Sequence, residues 1–520
     1  METVKTEEQT ENPPVQDGQV NRRFLTSTIH NFAGQGFLLV LTFATAPYIV
    51  HHLGAELFGI VALVQTVAGF AGIVNLGIGR ALTKYVSELY WKKDVQAINR
   101  LFQTAWATCV MSGVVGFVLL VGPRDTIGRL FFRGGSEVDN VIGFAIYIAA
   151  FGLFSSMLLE AISALPGGLQ RFDILNKVNI VSGTARSLGS VAVLAMGYSV
   201  RSVLIINLSA NVLAIVAFAL VSKKLIRGLS LLPIFHLDAF RRLFVFSLPL
   251  FVSALSSLII VRVDRFILAY FLPLSAVTFY TLPYTISEKA AVGVANITSV
   301  VYPFTSELHS MGSHDRVHEL YLRSTKILTL ITLPLCVILM AIPGPILLYW
   351  LGPEYAAQGA IALSLLGAAT FLNAASGVAT VTSLGVGRAW MPSFFAIAAS
   401  VVNVIANFVL IPRYGINGAA LGALLPQALV LPIFVYVVTH QLKFSSRELF
   451  SHAFLRPMIC GFLQFLVLLV FRRYVDSVIT LVMLGLASLA IYGLAALYGA
   501  ITREERNFIF RLPAFGVNQR

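Results

Sequence analysis

Residues 202–222 read SVLIINLSANVLAIVAFALVS, an apolar run without a single charge, and Lys223-Lys224 follow at once. A run of this length crosses the ~30 Å hydrocarbon layer of a bilayer as one α-helix. Lipid offers the backbone no hydrogen-bond partner, so a helix closes every N–H and C=O within the segment. Working outward, comparable runs cover 27–50, 57–79, 101–122, 140–165, 178–198, 243–272, 274–303, 326–350, 358–384, 391–411, 415–438, 454–471 and 477–501. Of the 520 residues 57% are hydrophobic and only 12% charged, against about 25% charged in an ordinary soluble domain. The ten-residue alternation of a membrane barrel is absent. The expected fold class is therefore an all-α polytopic membrane protein with about 14 transmembrane helices.

An even number of spans puts both termini on one side, and the basic residues say which. Of 37 Lys and Arg, 26 fall in segments on the side of the N-terminus and 7 in the opposite loops. The positive-inside rule then places both termini in the cytoplasm. The net charge of +13 is accounted for by short loops beside anionic head groups, with no nucleic acid needed. Residues 1–21 carry Glu2, Glu7, Glu8, Glu11, Asp17 and Pro13-Pro14. That is the reverse of a signal peptide and reads as a disordered cytoplasmic tail. Cys109, Cys336 and Cys460 each lie inside an apolar run, far apart, and are read as small buried side chains rather than a disulfide or metal site.

Aligned on itself at an offset of 219 residues, the chain puts Arg22-Arg23 on Arg241-Arg242 and Ser87-Glu88-Leu89 on Ser306-Glu307-Leu308, with Gly197 near Gly415. A repeat of six helices keeps its orientation, so the halves are related by an axis along the membrane normal, with a binding site expected between them. The division is a tail (1–21), an N-terminal lobe (22–222), a cytoplasmic linker (223–242), a C-terminal lobe (243–440), two further helices (441–501) and a cytoplasmic tail (502–520).

Several chemistries are missing. No Gly precedes Lys, so there is no Walker A loop, and no zinc-protease pattern of paired histidines occurs. No cofactor or metal is expected; a proton or sodium gradient or the membrane potential is the drive left. The longest outer loop, residues 123–139, is short for a membrane-embedded glycosyltransferase or polymerase, and the chain reads as no enzyme.

Charges at membrane depth are expensive unless they face a cavity or a partner. The seventh span carries Arg262, Asp264 and Arg265, the eighth Glu288 and Lys289, the fifth Arg186 and the fourth Glu160. At 1.5 Å per residue, Asp264 lies ~13 Å and Glu288 ~22 Å below the turn at Pro273. Arg262 and Arg265, three apart, share a helix face, while Asp264 points elsewhere and can pair across helices. One reading has the two arginines snorkel to outer head groups; the other has them line the cavity with Lys289 as a basic patch, Arg186 adding to it. Asp264, Glu288 and Glu160 are the ion-coupling candidates. At the 219-residue offset Arg262, Asp264, Arg265, Glu288 and Lys289 meet Phe43, Thr45, Ala46, Gly69 and Phe70. Charge confined to one half favours function over scaffolding.

Leu53-Gly54-Ala55-Glu56-Leu57-Phe58-Gly59, Asn75-Leu76-Gly77-Ile78-Gly79-Arg80-Ala81-Leu82, Trp350-Leu351-Gly352-Pro353-Glu354-Tyr355 and Pro412-Arg413-Tyr414-Gly415-Ile416-Asn417-Gly418-Ala419-Ala420 are familiar. Together they resemble the polysaccharide transporter family of Wzx-type oligosaccharide flippases, over residues 22–440. The resemblance implies two six-helix lobes around a cavity, in the superfamily that holds the MATE antiporters and the lipid II flippase MurJ. It implies a substrate too: an O-antigen, capsule or exopolysaccharide repeat unit on undecaprenyl pyrophosphate, flipped from the inner to the outer leaflet. A polysaccharide polymerase, a chain-length regulator and membrane lipids are the implied partners, and a bacterial inner membrane the implied location. Asn75 stands where relatives often place Asp, and the last two helices look like the extra pair in MurJ. Helix 1 has no arginine beyond Arg23, unlike MurJ. A MATE-like cation antiporter, the alternative, would want a carboxylate in helix 1, which offers His30, Asn31 and Gln35 instead.

Overall fold

The computed structural model describes residues 17–71, 75, 77–132, 136–502 and 506; the stretch 1–16 and most of 503–520, with the expectations made for them, lie outside the described residues, as do the side chains of His30 and Asn31. The secondary structure described is helical throughout. Among the described residues, ten helices are long and apolar enough to cross a membrane.

Helix α1 (Asp17–Ala68) begins inside the expected tail, so residues 17–21 are helical, and it folds back at Gly54. There φ is 75° and ψ 167°, a left-handed conformation that a side chain resists. Then come α2 (Ile78–Trp91), α3 (Val95–Val121), the short α4 (Arg124–Phe131), α5 (Ser136–Gly168), α6 (Phe172–Ala195) and α7 (Val200–Leu225). The second half has α8 (Leu237–Phe271), α9 (Leu274–Ala290), α10 (Val292–Ser310), α11 (His314–Ala341), the short α12 (Pro343–Leu351), α13 (Pro353–Gly385) and α14 (Trp390–Gln441). Helix α14 folds back at Gly415, where φ is 58°. A π-helical turn, Leu449–Leu455, leads into α15 (Arg456–Phe471), and α16 (Val478–Ala495) follows.

The expected spans need three corrections. The run 57–79 is broken by a turn at Gly69-Phe70, and α2 runs from Ile78 to Trp91. The run 274–303 is divided at Ala291. The run 326–350 ends at Ala341, because Pro343 cannot continue the ladder and starts α12. Apolar composition registers depth in lipid and is blind to such breaks.

Backbone turns repeat at nearly the offset found in the sequence. Left-handed residues pair as Lys93 with Gly312, Gln170 with Gly387, Gly197 with Gly415 and Gly228 with Lys443. At one end the halves share a core in which Leu53 and Ile60 meet Leu274, Val277, Ile411 and Ala419. There the Thr278 hydroxyl donates to Ala55 O at 2.6 Å and Trp350 Nε1 to Phe43 O at 2.8 Å. At the other end the cores are separate: one joins α2, α3, α5 and the start of α8, the other joins α11, α13, α14 and the π-helical turn. The molecule is thus a wedge closed at the end of the Gly54 and Gly415 turns. Helix α15 is pinned to α11 by the buried Gln464, whose Nε2 donates to Pro334 O at 3.2 Å and lies 3.3 Å from Ser488 Oγ.

Candidate functional site

A polar cavity of about 430 Å³ lies among α1, α5, α6, α7 and α8. From the first half it takes Gln65, Ser156, Arg186, Asn207 and Asn211; from α8 it takes Arg262. Asn207 and Asn211, one turn apart on α7, present their amides on one helix face. Arg186 Nη2 donates to Asn211 Oδ1 at 2.9 Å, and Asn211 Nδ2 lies 3.5 Å from Ser156 Oγ. Asn207 Nδ2 bonds back to Val203 O at 2.9 Å, while its Oδ1 is buried without a partner. Arg262 lies against the bare backbone of Gly69, where a Cβ would stand 2.2 Å from the guanidinium carbon. The Nε of both arginines is buried and unpartnered. Among the described residues no Asp or Glu lines the cavity. Two desolvated cations facing one space without a counter-ion make it a place for an anion.

One residue further, the chemistry changes. Asp264 is fully buried and accepts a hydrogen bond from the Tyr280 hydroxyl of α9; its Oδ1 also accepts from the Arg265 backbone N–H at 2.8 Å. Arg265 is 8% exposed, with its guanidinium carbon 4.9 Å from the centroid of the Tyr284 ring. Its guanidinium faces this aromatic ring rather than the cavity, so the helix face expected to hold both arginines serves two surroundings. Glu288 and Lys289, in the last turn of α9, are exposed, although Glu288 acts on Arg262 at longer range. Glu160 stands apart on α5, 3.4 Å from Asn75 Nδ2.

The structure thus brings Arg186 and Arg262 together, sets Asp264 with Tyr280 and Arg265 with Tyr284 beside them, and leaves Lys289 and Glu288 outside. The amides at 65, 207 and 211 and the hydroxyl at 156 were missed in the sequence because a census of charges passes over neutral polar groups. Asn207 and Asn211, four apart in an otherwise apolar run, were the available signal. A second, apolar cavity of about 350 Å³ lies between α13, α14 and the π-helical turn, lined by Phe371, Leu431, Val435, Phe450 and Phe454. The three cysteines are buried and unpaired.

Comparison with known proteins agrees with this architecture. A protein of Shigella flexneri named as an O-antigen transporter is 23% identical over 400 residues, covering 76% of this chain and 93% of that one. The solved structure of the lipid II flippase MurJ in an inward closed conformation superposes with a TM-score of 0.69 at 16% identity, over 89% of this chain and 98% of the other. An inward-facing MATE multidrug transporter superposes at 0.62 and 16% identity, over 78% and 94%. The fold is the one these two transporters share, and the chain is a multi-pass membrane protein. Residues 52–358 match the family described as polysaccharide biosynthesis protein, and the chain belongs to that family.

Proposed function

We propose that this chain is a flippase that carries an oligosaccharide, joined through pyrophosphate to a polyprenyl lipid such as undecaprenol, from the inner to the outer leaflet of a bacterial cytoplasmic membrane. It works by alternating access and is not an enzyme. The observation that carries this reading is the meeting of Arg186 and Arg262 in one cavity without a carboxylate, in a chain of the polysaccharide biosynthesis protein family. A pyrophosphate diester bears about two negative charges, matched by two guanidinium forks suited to phosphate oxygens. Lys289, exposed outside the cavity, is a secondary cation for the approaching head group, and Arg265 backs the clamp from the Tyr284 side. The apolar cavity beside α15 suits the polyprenyl chain, and the O-antigen name of the Shigella relative supports a glycan cargo.

The path crosses the membrane fourteen times: ten apolar helices, the second arms of α1 and α14, helix α8, and the divided α9–α10 pair. The lobes are 22–222 and 243–440, with 223–242 between them and 441–501 appended. Both termini are cytoplasmic, so the wedge opens toward the side where the substrate is made. Moving two negative charges outward across an inside-negative membrane is favourable by ~2.3 kcal/mol per charge per 100 mV. Asp264, Glu288 and Glu160 are the carboxylates placed to couple a proton or sodium gradient to it. A polymerase and a chain-length regulator would receive the product.

The test is head-group accessibility on both leaflets of vesicles holding the purified protein. Arg186→Ala and Arg262→Ala should each impair flipping severely, and Arg262→Lys should restore it in part. Parental rates in both alanine variants would remove the clamp. Efficient expulsion of cationic dyes by the parent would put a MATE-like antiporter in its place, and a preference for lipid II would make it a peptidoglycan flippase.

A further inference from the structure

We infer that Glu160 is the proton-binding group of this protein and that its protonated form is the one that binds the anion in the arginine cavity. The inference rests on the flippase reading and says which carboxyl and which ion serve it. Glu160 lies on α5, one turn beyond Ser156 of the cavity wall. Its Oε2 is 3.4 Å from Asn75 Nδ2, and the same nitrogen donates to Met157 O at 3.2 Å. That second contact settles which way the amide faces, since an oxygen turned there would meet another oxygen. Asn75 is completely buried, and its Oδ1 has no partner.

Among the described residues no Lys, Arg or His nitrogen lies within 4.0 Å of the Glu160 carboxylate. The charge acting on it is Arg80 of α2, whose residue is exposed; Cys109 of α3, fully buried, is the other titratable neighbour. An ionised Glu160 would be a half-buried anion with one long hydrogen bond, the one from Asn75. A carboxylic acid instead has no charge to desolvate and brings an O–H beside an amide that has an acceptor to spare.

The position gives the proton its consequence. Asn75 lies in the interruption between α1 and α2, and beyond it Gly79 packs so closely on Glu160 that a Cβ would come within 2.8 Å of Cγ. At the near edge of the same interruption Gly69 seats Arg262. One carboxyl therefore grips the far side of the segment whose near side holds the anion-binding arginine. An ionised Glu160 would also repel a pyrophosphate one turn away. Proton and anion then bind with mutual reinforcement, each raising the affinity for the other.

The probe is undecaprenyl-pyrophosphoryl-N-acetylglucosamine, a diester with no proton to exchange near neutral pH, bound to the full chain in nanodiscs. Its affinity for the parent should weaken several-fold as pH rises, whereas Glu160→Gln should bind tightly and independently of pH. Asn75→Asp places two carboxyls over one proton and should move the pH midpoint upward. A carboxylic-acid C=O band in the infrared spectrum of the parent, missing from Glu160→Gln, reports the proton without any substrate. A parent affinity that does not vary with pH, or a Glu160→Gln variant that keeps the parent's pH dependence, overturns the inference. Should no variant bind the probe, the flippase reading fails by itself, and the infrared band alone then upholds or refutes the proton site.

Discussion

Gly69→Ala displaces an arginine without changing any charge. The new Cβ would stand 2.2 Å from Arg262 Cζ, 2.3 Å from Nη1 and 2.7 Å from Nε, where carbon atoms in contact keep about 3.5 Å. Something must yield by roughly 1 Å, and the mobile partner is the end of a long side chain whose Nε has no protein partner to lose. The backbone is no obstacle, because the Gly69 N–H already bonds to Gln65 O and Thr66 O, both at 3.1 Å, as a helical turn does. Folding stability should therefore change by less than about 1 kcal/mol, the scale of a Gly-to-Ala exchange in a helix. Binding should suffer more. A buried hydrogen bond to a charged group contributes ~1.5 to 3 kcal/mol, so affinity for a pyrophosphate-linked lipid should fall roughly tenfold to a hundredfold. Equilibrium binding in nanodiscs, with thermal unfolding alongside, measures both. If Gly69→Ala binds within about twofold of the parent while Arg262→Ala does not, the seat is irrelevant and the argument from this glycine fails.

Other expectations can be checked in the same preparations. Asp264→Leu removes both the acceptor of Tyr280 and the anion beside Arg265, and should destabilise the protein by about 3 to 5 kcal/mol, against about 1 kcal/mol for Tyr280→Phe; equal effects in thermal unfolding would mean that no buried charge is being balanced there. Gln464→Ala should cost about 1 to 3 kcal/mol and loosen α15 from α11, visible as faster proteolysis ahead of Arg456, and unchanged protection would deny Gln464 its docking role. Thr278→Val removes the bond to Ala55 O that holds the closed end and should raise labelling of a cysteine placed at Ile60, which is buried in the shared core; unchanged labelling would locate the closure elsewhere. In a background without the three native cysteines, Asp125→Cys should label from outside and His314→Cys from inside, and labelling of both from one side would break the proposed topology.

What could be read before folding was whatever depends on neighbours along the chain. Hydropathy is local, so the apolar runs marked the helices, and the basic loops carry the expectation of which side they turn on. The 219-residue offset was legible because related turns kept Ser87-Glu88-Leu89 and Ser306-Glu307-Leu308 in register. The breaks at Gly69-Phe70 and at Ala291 were not, since they lie within apolar runs. Lys93, Gln170 and Lys443 adopt left-handed turns that their identities do not announce, because the repeat geometry and not the residue imposes them.

The site itself was a tertiary decision. Helical periodicity put Arg262 and Arg265 on one face, yet Gly69 leaves room for one guanidinium while Tyr284 and Asp264 take the other. Arg186 comes from a helix 76 positions earlier than Arg262, and only packing brings the two to one cavity. Spacing along a helix fixes depth and azimuth on that helix alone; which helix stands opposite, and whether it offers a carboxylate, an amide or bare backbone, is settled by the fold.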